Sequence, residues 1–130
     1  MMPLLLSRDD GAMPLARARA FIEAYEAMKT AQEEAKAARA AADSAYSVAN
    51  RAAKNAVFAK KKQADECLWA SFAVCAALRD DAIQAETALM EAERILHECN
   101  MSALSFESAA RRAENRYQRA LRAEEGTCRE

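Results

Sequence analysis

Between residues 38 and 59 alanine recurs at 38, 42, 45, 49, 52, 56 and 59, in alternating steps of four and three without a miss. A spacing that averages 3.5 residues keeps one stripe of an α-helix turned toward one partner, which is the requirement for a coiled-coil seam. Upstream the same seam uses larger groups, Phe21, Tyr25 and Met28, before alanine takes over at 31, 35 and 38. A second seam runs from Cys75 to Ala120 and includes Leu78, Leu89, Leu96, Phe106 and Tyr117. Both segments therefore predict long amphipathic helices, and the fold class is all-α.

The two seams are out of phase. Ala59 and Leu78 are 19 residues apart, whereas 14 or 21 would keep the heptad. That offset predicts a hinge at about 60–66, where "KKKQADE" concentrates charge. Lys61–Asp65 and Lys62–Glu66 oppose it, because such i,i+4 pairs support a helix running straight through. The expected architecture is an elongated antiparallel helical hairpin, with helices over about 15–59 and 67–124. The alternative is a three-helix bundle turning near residue 100, where "HECNMSALSFES" is rich in poor helix formers. Residues 1–13 read as a flexible N-terminal arm, with Pro14 suited to a first helical turn. Residues 126–130 read as a tail.

An alanine seam has a specific physical meaning. Each buried methyl removes little apolar area from water, at about 25 cal/mol per Å², but it lets backbones approach closely. Complementarity then calls for bulk opposite, so the second helix should supply Leu78, Leu89, Leu96 and Phe106 as knobs for the alanine holes of the first. At 1.5 Å per residue the helices would be about 68 and about 87 Å long. A fold-back near residue 63 would leave residues 110–122 overhanging. That stretch carries Arg112, Arg116 and Arg119 on one face, with Tyr117 beside them.

Composition sharpens the class more than the function. Thirty-four alanines, two glycines and two prolines leave residues 15–125 free of both backbone punctuators, and a strand protein would need the turns this chain lacks. A net charge of −1 gives no bulk electrostatic bias toward nucleic acid. Cys67, Cys75, Cys99 and Cys128 form no CxxC pair or regular framework, so they read as thiols in a reducing, cytoplasmic compartment, with Cys128 the exposed one. No secretory signal is legible in "MMPLLLSRDD", and the longest apolar run, Cys67–Leu78, is too short to span a bilayer. His97 is the only histidine and has no further ligands at metal spacing. No glycine-rich phosphate loop or nucleophile motif occurs, so no cofactor, metal or catalytic residue is expected, and the chain is not expected to be an enzyme.

What remains is surface. The run Cys67–Leu78 is apolar nearly all round, which indicates contacts on more than one helical face. Trp69 and Phe72 are its candidates for self-association or partner docking, unless they fold under the hinge and close the bundle tip. The leading expectation is a coiled-coil scaffold or adaptor subunit binding protein partners, within a homo-oligomer or larger assembly. The alternative is a nucleic-acid accessory protein whose Arg112, Arg116 and Arg119 meet phosphates. A third reading lays the apolar run in a membrane interface beside Lys60–Lys62.

Overall fold

The computed structural model describes the backbone of residues 2–129 and the side chains of residues 15–125. It consists of two helices, α1 (Met2–Glu66) and α2 (Phe72–Arg129), packed as an antiparallel hairpin. α2 continues unbroken through residues 97–108, which removes the three-helix alternative. Poor intrinsic propensity there is overridden because the seam crosses the segment in phase: Leu96 and Cys99 are half-buried and Ala103 is buried. Residues 2–13, expected as an arm, have helical backbone as part of α1, although proline's missing amide leaves one i→i−4 bond unmade at position 14.

The turn lies later than the charge cluster suggested. "KKKQADE" stays helical to Glu66, and the chain reverses over residues 67–71. Gln63 follows Ala59 by four residues and is half-buried, so the α1 seam simply continues. Lys60 reaches across to Glu86 in an ion pair. The Glu66 carbonyl accepts from the amides of both Trp69 (3.1 Å) and Ala70 (3.0 Å), closing the helix end. Ser71 then caps α2, its Oγ accepting from the Val74 amide at 3.4 Å, the bond an N-cap hydroxyl makes to the third helical residue. No described residue has positive φ, so the reversal needs no glycine. The phase slip between the seams follows from this geometry, since a heptad need not be kept across a turn.

Two compact units divide the hairpin, one comprising Ala38–Ala103 and the other Met1–Ala37 with Leu104–Glu130. In the first, Ala42, Ala45, Ala49 and Ala56 of α1 are buried with Leu78, Ala82, Ala92 and Ala103 of α2. In the second, the buried side chains are Ala35 and Ala113. Among the described residues the core is therefore nine alanines and one leucine. Counting back from the facing Cys67 and Cys75, Ala45 lies level with Leu96 and Ala52 with Leu89, within one residue. Ala49 meets Ala92 and Ala59 meets Ala82 by the same count.

The division of holes and knobs between the helices is thus only half realised. Leu89 and Leu96 are half-buried and Phe106 remains 38% exposed. Among the described residues the centre of the seam takes in one leucine, Leu78 near the turn, and is otherwise filled by alanine methyls. The other bulky seam residues lie along its margins.

The second unit also corrects the overhang. Tyr117 packs against Phe21 (5.4 Å between ring centroids) and Tyr25 (5.5 Å), both tilted, and Lys29 lies 5.5 Å from the Tyr25 ring. Residues near 117 are therefore paired with α1. Moving the turn a few residues along shifts every partner by about twice that amount, which brings the arginine segment alongside α1. On the solvent side of the first unit, Arg94 bridges Glu91 and Glu98. The Arg94 guanidinium, by hydrogen bond and charge, holds the Glu91 carboxyl below its ordinary value. Both groups are exposed, so the ladder adds little to stability.

Tight methyl packing has a measurable consequence. Ala103 is 0% exposed, so Ala103→Leu is expected to destabilise the hairpin by about 1–3 kcal/mol through overpacking. Ala88→Leu, on the exposed face of α2, should stay within about 0.5 kcal/mol of the parent. Urea unfolding followed by helical circular dichroism measures both.

Candidate interaction surface

The turn presents its largest side chains outward. Leu68 and Trp69 follow the end of α1, and Phe72 opens α2; they are 77%, 90% and 91% exposed. Local geometry forces this. Glu66 gathers the amides of Trp69 and Ala70 beneath the turn, and Cys67 and Cys75 occupy the space between the helix ends. Trp69 and Phe72 therefore do not fold under the hinge to close the tip, the competing reading of these two residues; both stand exposed.

Further apolar groups lie on the outer face of α1 in its last turns. Val57 and Phe58 are exposed and line a shallow hollow of about 380 Å³ with Ala53, Lys54 and Lys61. A second hollow, of about 450 Å³, lies between Phe58, Lys61, Lys62, Asp65 and Glu66. Each is walled by a single helix, so these are surface depressions without the convergent walls of a ligand cleft. Lysines flank the apolar groups, their stems able to cover apolar surface while their charges stay in water.

Sequence reasoning missed a second column on α2. Ile83, Met90 and Leu104 are exposed and recur, with His97 between them, at intervals of seven. Met101 stands one turn from Leu104 and is also exposed. The heptad spacing of 83, 90, 97 and 104 was the available signal. It was hidden by the stronger core seam on the same helix, and only the structure shows which of the two columns is covered.

Arg112, Arg116 and Arg119 are all exposed on α2, and among the described residues none of them forms a salt bridge. Tyr117, a residue of the α2 seam that is next to them in sequence, packs against Phe21 and Tyr25 of the α1 seam. Asp80, Asp81 and Glu86 belong to the other unit, where Glu86 pairs with Lys60.

The remaining reactive groups do not converge. His97 is exposed and Cys99 half-buried. Among the described residues no three histidine, cysteine, aspartate or glutamate side chains cluster as a metal site. The side chains of Asp9, Asp10 and Cys128 lie outside the described residues. Cys67 and Cys75 do meet: the Cys75 thiol donates to the Cys67 carbonyl at 3.3 Å, and the Cys67 thiol to the Cys75 carbonyl at 3.9 Å. Hydrogen bonding to Cys75, followed by desolvation, pushes the Cys67 thiol above its ordinary pKa. Among the described residues no helix is long and apolar enough to cross a membrane. The chain matches no protein-family model, no curated protein and no solved structure.

Outward presentation of the indole has a direct optical signature. Trp69 is the chain's only tryptophan, so dilute protein is expected to show red-shifted emission and acrylamide quenching near that of free tryptophan. Blue-shifted, protected emission at every dilution would contradict the exposed turn.

Proposed function

We propose that this chain is a non-enzymatic coiled-coil scaffold or adaptor subunit that works by helix–helix contact, as part of a homo-oligomer or larger assembly. The observation that carries the reading is the mismatch between covered and uncovered apolar groups. Alanines fill the seam, while Leu68, Trp69 and Phe72 face water at the turn. An alanine methyl contributes about 0.8 kcal/mol when buried, against about 1.5–3 kcal/mol for a large apolar side chain. The burial energy that Leu68, Trp69 and Phe72 could contribute is therefore largely unused within the hairpin. Aromatic residues standing clear of the backbone are also the residue types that dominate binding hot spots.

Measuring molar mass by light scattering across a concentration series tests this. The parent chain is expected to self-associate or to bind a protein partner. Trp69→Ser with Phe72→Ser should weaken that association at least about tenfold, because each removes a buried anchor on the order of 1–2 kcal/mol. Helicity should not change. A monomer at all concentrations that retains no partner from its native host rejects the reading.

A second reading rests on the exposed, unpaired faces of Arg112, Arg116 and Arg119: a nucleic-acid accessory protein contacting phosphates. It expects binding to duplex or single-stranded nucleic acid at low salt. Changing the three arginines to alanine should lower the salt-dependence slope by about two to three. Absence of a mobility shift at low salt rejects it.

A further inference from the structure

The fold brings Cys67 and Cys75 together in one gap between the helix ends. Cys67 is pinned by its amide, which donates to Gln63 at 3.0 Å in the last i→i−4 bond at the end of α1. Cys75 is pinned by the first such bond of α2, its amide donating to Ser71 at 2.9 Å. Each thiol crosses to the other's carbonyl, so the two sulfurs occupy the same layer between the helix ends. Both are only half-buried, which leaves a path for a small reagent. Cys99 is 24 residues beyond Cys75 on α2, about 36 Å along the helix axis, and offers no competing partner within the chain.

We infer that Cys67 and Cys75 are a redox-reversible modification site, forming an intramolecular disulfide that staples the turn. The oxidant is a low-molecular-weight disulfide. One cysteine, as thiolate, attacks it and forms a mixed disulfide, releasing one small thiolate. The other cysteine, as thiolate, attacks the protein-side sulfur of that mixed disulfide and releases the second. Two protein thiols are oxidised, one small disulfide is reduced to two thiols, and the two cysteine protons pass to solvent or to the departing thiolates. The pair is a dithiol under reducing conditions and a cross-link under oxidising ones. The closed loop contains Leu68, Trp69 and Phe72, so oxidation fixes the backbone that presents them. The inference stands on the thiol geometry and does not depend on what the turn binds.

Oxidised glutathione, applied to the full chain and to a Cys99→Ser, Cys128→Ser form, tests it. The Cys99→Ser, Cys128→Ser form is expected to lose about 2 Da, the mass of two hydrogens, and both forms to yield a peptide linked between Cys67 and Cys75. The thermal midpoint should rise by roughly 5–10 °C, because a short loop is closed in the unfolded chain. Dithiothreitol should reverse both changes. Cys67→Ser and Cys75→Ser forms should keep their helicity but hold a persistent glutathione adduct on the remaining cysteine, with no rise in midpoint. Stable mixed disulfides on both cysteines of the parent, or links formed only between chains, would overturn the assignment. A Cys67–Cys75 link with an unchanged midpoint would overturn the staple.

Discussion

A helix can have its alanine methyls fully covered only when the facing backbone comes close, and that approach organises the whole hairpin. Ala42 and Ala103 are 1% and 0% exposed, more thoroughly covered than any larger side chain among the described residues. Of the seam leucines, Leu78 next to the turn is buried, while Leu89 and Leu96 are only half-covered. Close packing of small groups gives shape specificity and dispersion contacts, but it withdraws little apolar surface from water. Tight fit and a modest hydrophobic contribution are two results of one choice of residue.

The same constraint explains the turn. Two helices held close leave a narrow space at their ends, and two cysteines, small and apolar in their reduced form, fill it. Trp69 and Phe72 stand outside it, in water. Apolar groups excluded from a close-packed seam become the material for contacts outside it, and this links the alanine core to the proposed adaptor role. Ile83, Met90 and Leu104 repeat the pattern along α2. They are regularly spaced and uncovered.

Charge has a secondary part. Lys60 and Glu86 join the helices across one layer, and Arg94 ties together its own face of α2, but exposed pairs of this kind are individually weak. The "KKKQADE" segment shows how charge density misleads as a boundary signal. Its lysines and acids lie on the solvent sides of a helix whose inward residue, Gln63, continues the seam. The arginines at 112, 116 and 119 likewise decorate a face whose neighbour Tyr117 is committed to packing.

Periodicity and propensity by themselves determined that the chain is helical, which stripe of each segment turns inward, and that the stripe is built of methyl groups. All of these are local properties, repeated every three or four residues and so legible without a fold. Tertiary structure alone decided where the chain reverses, because a turn made with negative φ throughout needs no glycine to announce it, and Ser71 acts as a cap only once the helix before it has ended. It also decided that Tyr117 meets Phe21 and Tyr25, that Cys67 meets Cys75, and that Trp69 faces water. Each of those depends on the register between two distant segments, which a few residues' difference in the position of the turn changes for every pair at once.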